Sequence, residues 1–469
     1  MKKVLIIQRT SYFDDIISKL VTTDDIEIVG ITASSDIQKN QITSYYPNIP
    51  VFTHQEIYNW TKSFVTQSDI QTYYQTQLKV ERNYFRIFKG SAYIMSIYYS
   101  SLAFWLNLFN NPIDCVIVRE IEHGSPIDSI PMDIAKKRNI PVFNIEVVSE
   151  QTTRSLWGIR SYNSEKYVNL SELDEKLPKL DVQSYLFSAQ SIKLKENGKY
   201  NHQAKINNTF SGLFTLRKKF ISENNINLLW VLLRIIYNWF YTLGLKFYYH
   251  SKATKYIDNN EKYIIYPLHL EPEASILNRT IYNSQIYNIK MLSTALPKGW
   301  KLYVKEHPHQ FSLFTPKRLT HLLEWIPNFR NIAYYQELLS LNNVVLLNEN
   351  VNLKSIFFDK NHELFGKNGL MAIATINGTV SLEAIYAKIP VILFAHNTTP
   401  AGQIPGTFSI TCYEDIERII NNLSNSLDYN NDSLNQILSS YLFLMTDEDG
   451  YQISDKALQT LVYQANQYI

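Results

Sequence analysis

The stretch YVKEHPHQ, 303–310, ends a strand-like run with a histidine. Pro308 cannot donate to a sheet ladder, so the strand should stop at Lys305-Glu306 and leave His307 at its mouth. Near neutral pH, an imidazole held there can hydrogen-bond a phosphate or protonate a departing one. His309 lies two residues on, but no third ligand at zinc spacing joins the pair, so no metal is expected. A second stretch, MAIATINGTVSLEAIYAKIPVILF, 371–394, reads as strand, tight turn, helix and strand. Asn377 and Gly378 suit the turn, and Thr379 or Ser381 can cap the helix. Backbone N–H groups and the helix dipole would then favour a phosphate at that point. Glu383 shares a helix side with Thr379 and can accept hydrogen bonds from sugar hydroxyls.

Two further stretches gather polar side chains after apolar runs. In YPLHLEPEASI, 266–276, His269, Glu271 and Glu273 sit in a loop with two prolines, and Pro272 and Glu273 also suit a helix start. In VREIEHGSPIDSI, 118–130, Glu120, Glu122, His123 and Asp128 follow a buried strand. A carboxylate or imidazole there can take the proton of an acceptor hydroxyl, and solvated loop charges are the plain alternative. The chain has no DxD-like triplet after a strand, no GxSxG, no Walker A and no GxGxxG, and TDEDG, 446–450, reads as a polar loop.

The elements that must position these groups alternate. KVLIIQ, IEIVGIT, IPVFTH, DCVIVRE and PVFNIEVV read as buried strands separated by helical segments, with 54–113 mainly helical. Unalternated apolar strands of this kind predict a parallel sheet covered on both faces. The alternation breaks over 160–260 and restarts with KYIIYPLHL, a long helix EASILNRTIYNSQIYNIKMLSTAL, WKLYVKEHP, NVVLLNEN, LMAIATING and IPVILFA. The expected organisation is an N-terminal Rossmann-like acceptor domain over 1–165 and a helical insertion over 166–258. A C-terminal Rossmann-like donor domain follows over 259–445, and a helix over 446–469 packs back across the domains.

Composition excludes several classes. With 45% hydrophobic and 19% charged residues the chain is globular, and a net charge of +2 gives no field for nucleic acid. The 33 Tyr have no basic stripe beside them and do not read as a base-stacking platform. Cys115 and Cys412 lie in strand-like runs without metal or redox spacing, and are expected as reduced, part-buried thiols of a cytoplasmic protein. The apolar run after Met1 is too short for a signal peptide. LLWVLLRIIYNWFYTLGLKFYY, 228–249, contains Arg234 and Asn238, which argues against a membrane span. It reads as a packed helix, or as a helix lying on the cytoplasmic face of the inner membrane with Arg234 and Lys246 towards headgroups.

PLHLEPEAS, KEHPH and INGTVSLEAIYAKIPVILF occur together and in that order. This set resembles the bacterial capsule polysaccharide synthesis family, which includes Kdo transferases. EHGSPID followed by IAKKRNIP is similar to a first-domain segment of that family. The resemblance covers most of 110–410 and implies a GT-B glycosyltransferase, α/β, with two doubly wound Rossmann-like domains facing a central cleft. It implies a CMP-activated sugar acid as donor (Kdo or a nonulosonic acid), a glycan or lipid-linked acceptor, and no metal or cofactor. Carried over, His307 would meet the phosphate beside Lys305 and Pro308, with Asn377, Gly378, Thr379 and Ser381 as its cradle. Glu383 would contact the ribose or cytosine end, and His269 and Glu273 would line the donor pocket. Glu122, His123 or Asp128 would serve the acceptor. The alternatives are a glycerol- or ribitol-phosphate transferase, a UDP-sugar-dependent GT-B enzyme and an epimerase on the same twin-domain fold.

Overall fold

The computed structural model describes residues 1–8, 14–86, 91–119, 124–150, 154–187, 228–258, 260–272, 274–277, 280–311, 325–357, 369–395, 398–423, 431–446 and 450–469. Strands β1 (Lys2–Gln8), β2 (Ile26–Ala33), β3 (Val51–Thr53), β4 (Cys115–Arg119) and β5 (Val142–Glu150) pair in parallel, in the order β3-β2-β1-β4-β5. Val4 to Ile7 and Cys115 to Val118 are at most 1% exposed, because helices cover both faces of the sheet. Ser91–Leu108 and Ser129–Lys137 pack on one face, Asp14–Val21 and Asp455–Tyr463 on the other.

This sheet is not wholly parallel. β6 (Arg154–Ser161) runs antiparallel to β5, and β7 (Lys166–Tyr167) antiparallel to β6. The link from Glu150 to Arg154 is too short for a crossover helix, so the chain must turn back on itself. Helices Leu170–Leu173, Val182–Phe187 and Leu228–Lys252 then lie between the two sheets in sequence.

The second sheet holds β8 (Tyr263–Pro267), β9 (Lys301–Lys305), β10 (Val344–Leu347), β11 (Leu370–Thr375), β12 (Val391–Leu393) and β13 (Thr407–Ser409). All pair in parallel, in the order β10-β9-β8-β11-β12-β13. Counted from its own first strand, that is the doubly wound order of dinucleotide-binding domains. The winding reverses between β8 and β11, and a crevice opens at the carboxyl ends of such a strand pair. The expected α/β class, with two Rossmann-like units in tandem, is the fold of this chain.

Three local expectations are corrected. The long helix after β8 is broken into Ala274–Leu277 and Gln285–Ala295, because Ser284 caps the second, accepting from the Tyr287 N–H. Cys412 is exposed and directly precedes helix Tyr413–Asn422, whereas Cys115 is fully buried in β4. The ends of TDEDG are strand residues, since Thr446 closes β14 (Leu442–Thr446) and Gly450 opens β15 (Gly450–Tyr451), so in the sequence the triplet Asp447-Glu448-Asp449 does follow a strand, against the expectation that none would. β14 pairs antiparallel with β6, so the chain is back on the first sheet from Leu442, ahead of residue 446.

The two units share buried surface. One apolar cluster joins Leu156, Val182 and Leu442 to Ile265, Ile373 and Leu382 of the second sheet and its helices. The backbone N–H of Trp325 also donates to the Arg86 carbonyl at 2.7 Å. Among the described residues, no helix is long and apolar enough to cross a membrane.

Candidate functional site

The crevice of the second sheet is built from the loop after β8 and the turn after β11. Thr375 ends β11, and its hydroxyl Oγ1 lies 3.1 Å from His269 Nε2. The Asn377 N–H donates to the same nitrogen at 3.4 Å, and the Gly378 N–H donates to Thr375 Oγ1 at 3.4 Å. A ring nitrogen that accepts from a backbone N–H carries no proton, so the neutral ring is protonated on Nδ1. Burial and the nearby Arg330 charge hold the His269 pKa down at about 4, which keeps the ring neutral at pH 7. His269 therefore supports the turn from beneath. Its main chain is fixed too: its N–H donates to Gln285 Oε1 at 2.7 Å, and its carbonyl accepts from Arg330 at 3.1 Å.

Gly378 is packed closely by its neighbours and has no left-handed backbone. A Cβ there would lie 3.2 Å from Thr375 Oγ1, 3.3 Å from Val380 Cγ1 and 3.4 Å from His269 Cε1. Neither expected side-chain cap forms on helix Val380–Tyr386. Thr379 is exposed, has α-region angles and makes no capping bond, and buried Ser381 donates its hydroxyl to the Gly378 carbonyl at 2.7 Å. The turn already has helical geometry at Thr379, so its side chain is not in place to reach the N–H groups ahead. Glu383 is buried and forms an ion pair with Lys354 at 3.5 Å, and Lys354 also donates to the Leu186 carbonyl at 2.7 Å. That pair places Glu383 on the side of the helix facing Leu353–Phe357.

β9, next to β8 in the sheet, delivers His307 as its sequence suggested. The His309 N–H donates to His307 Nδ1 at 3.1 Å, so the neutral ring carries its proton on Nε2, as a donor. Lys305 is 5% exposed, with Nζ 3.5 Å from the Glu306 carbonyl, and Pro308 is exposed. Asn377 is half-buried at the turn.

Beneath these loops lies a group that sequence reading missed. Arg330 is fully buried between Glu306 and Glu271. Its Nε donates to Glu306 Oε2 at 3.0 Å, its Nη1 pairs with Glu271, and its guanidinium lies 4.3 Å from the Tyr334 ring centre. Glu306 also accepts from the Tyr335 hydroxyl at 2.6 Å and from the His307 N–H at 2.8 Å. Burial and the Glu306 charge push the Tyr335 hydroxyl pKa well above its usual value, so it remains a donor. Arg330 thus ties the His269 loop to the end of β9. In sequence it is one arginine in PNFRNIAYY, and only its apolar setting hinted at burial.

On the first sheet, the carboxyl ends of β1 and β4 bring Gln8 opposite Arg119. Arg119 donates to the Tyr451 hydroxyl at 2.8 Å. Glu120, Glu122, His123 and Glu273 lie outside the described residues. Asp128 is buried as the cap of helix Ser129–Lys137: Oδ1 accepts from the Ser125 N–H and hydroxyl, both at 2.8 Å, and from the Ser129 N–H at 2.7 Å. These bonds give it a structural part alongside the role of base that sequence reading offered. Among the described residues, no group of His, Cys, Asp and Glu could hold a metal ion.

No family model and no curated protein matches this chain. Solved structures do match along most of its length. A UDP-GlcNAc 2-epimerase from Methanocaldococcus jannaschii is 15% identical, covering 92% of this chain and 95% of that one, with a TM-score of 0.26. A KpsC β-Kdo 2,7 transferase from Thermosulfurimonas dismutans is 12% identical over 93% of this chain and 99% of that one, with a TM-score of 0.31. The β-Kdo 2,4 transferase of KpsC from the same organism is 11% identical over 85% and 97%, with a TM-score of 0.32. Scores this low decide neither fold nor activity; the strand order is the stronger ground for the fold.

Proposed function

We propose that this chain is a GT-B glycosyltransferase that moves a sugar acid, Kdo or a nonulosonic acid, from its CMP-activated donor to a glycan acceptor of a bacterial surface polysaccharide. The supporting observation is the convergence at the second sheet's crevice. The Thr375–Gly378 turn rests on neutral His269, 3.1 Å away, and the adjacent strand β9 presents His307 with Nε2 as a donor. Ligands of open α/β sheets bind at this place. The choice of CMP comes from the motif resemblance alone.

In the transfer, the bond from the anomeric carbon to the phosphate oxygen breaks, and the acceptor oxygen bonds to that carbon. The acceptor hydroxyl gives its proton to a base. CMP departs as a phosphate monoester, with less charge to neutralise than a nucleoside diphosphate. Donors fixed in advance, such as the His307 ring Nε2–H, can stabilise that charge without reorganising.

Thermal unfolding with CMP, CDP, UDP and GDP tests the donor. CMP at a hundred times its Kd should add about 2.7 kcal/mol of stability. Stabilisation by UDP with none by CMP overturns the assignment. His307→Ala should remain folded and lose CMP-sugar turnover; full activity removes His307 from the mechanism.

A further inference from the structure

Helix Leu228–Lys252 has two unlike faces. One is fastened to the framework under the crevice. The Tyr241 hydroxyl donates to the Arg330 carbonyl at 3.1 Å, the Tyr249 hydroxyl to the Leu347 carbonyl at 2.5 Å, and the Glu306 N–H to Tyr249 at 3.0 Å. The other face is open. Leu229, Trp230, Leu233, Ile236, Phe240 and Phe247 recur every few residues along it. Their exposures run from 47% at Leu233 to 74% at Phe247. Single exposed apolar residues are ordinary, but a continuous stripe of large ones marks an interaction surface.

Charge and chemistry choose the occupant. No Asp or Glu lies between Asn224 and Ile257, whereas Arg234, Lys246, Lys252 and Lys255 do. Lys252 and Lys255 are exposed where the helix ends, beside Tyr256 at 83% exposure. Arg234 stacks on Trp325 with 4.4 Å between guanidinium and ring centre, at the edge of the stripe. An apolar stripe rich in aromatic residues, with cations and no acid, fits an anionic lipid surface. A protein partner would gain little from so one-sided a charge.

We propose that this face lies in the headgroup region of an anionic bilayer, parallel to the membrane plane. The helix would then bring the crevice to the membrane, because its opposite face holds Arg330 and Glu306. The surface stands whichever nucleotide the crevice takes, and its test needs none.

The test is co-sedimentation of the full chain with vesicles of phosphatidylcholine alone, or of phosphatidylcholine with phosphatidylglycerol. The chain should pellet with the anionic vesicles and remain in solution with the neutral ones. Replacing Lys252→Gln and Lys255→Gln should weaken binding about fivefold per charge. The triple variant Trp230→Ser, Leu233→Ser, Phe240→Ser changes exposed residues only; it should keep its melting temperature and bind at least about a hundredfold less. Failure of the wild-type chain to pellet, or undiminished binding by the folded triple variant, overturns the proposal. So does a wild-type dimer that the triple variant turns into a monomer, which would make the stripe a self-interface.

Discussion

Arg330 and Glu306 form an ion pair in which neither side chain has any solvent exposure, with Nε and Oε2 3.0 Å apart. Two charges out of water are sustained only by full hydrogen bonding, and here Tyr335, the His307 N–H and the His269 carbonyl complete it. The pair joins the loop after β8 to the end of β9, so the crevice keeps its shape through one guanidinium.

Arg330→Gln should therefore cost about 3–5 kcal/mol in denaturant unfolding, because Glu306 and Glu271 would remain buried without their cation. Adding Glu306→Gln to Arg330→Met should recover part of that loss. A single variant as stable as the parent would mean that the pair contributes nothing net.

His269 makes stability depend on pH. Its pKa falls from 6.5 when unfolded to about 4 in the fold, so the unfolded chain binds more protons between those values. Its contribution is fully present above pH 6.5 and is lost as pH falls towards 4. The difference in unfolding free energy between the parent and His269→Gln should shrink over that window. A difference that stays constant from pH 7 to 4 would show that His269 is not held neutral.

Much of this arrangement was legible in the sequence. Unalternated apolar runs such as VLII and CVIV could only be strands buried on both faces, so the α/β class followed. Pro308 fixed where β9 stops, and the Asn377-Gly378 pair fixed the turn. Hydrogen bonds over long sequence separations were not legible. Nothing around His269 announces Thr375, more than a hundred positions away, and Arg330 meets Glu271 and Glu306 only once the strands are ordered. β6 was hidden because RSLWGIRS lacks a clean apolar run, and β14 because its partner lies far earlier in the chain.

Gly378 separates packing from binding. Gly378→Ala asks Thr375, Val380 and His269 to yield by a few tenths of an ångström and should be mildly destabilising. Gly378→Val should cost about 1–3 kcal/mol by overpacking. Both should reduce the CMP-induced rise in melting temperature, since the added carbons press on Thr375 and His269 and push the turn off its support. An undiminished rise in Gly378→Val would place the nucleotide elsewhere.

Asp128 decides between two roles for one carboxylate. Its Oδ1 holds the N–H of Ser129, the first helical residue, and ties the Ser125 N–H and hydroxyl of the preceding loop to the helix start. Asp128→Asn keeps an acceptor oxygen and loses the charge, so its stability should fall by about 1 kcal/mol or less. Asp128→Ala loses the acceptor as well and should cost about 1–2 kcal/mol. A cap is indifferent to proton transfer, so both variants should keep their turnover wherever they are folded. A general base is not: an Asn amide cannot take the acceptor proton, and turnover would fall about 100- to 10,000-fold in Asp128→Asn at unchanged melting temperature. That second pattern would return Asp128 to the chemistry.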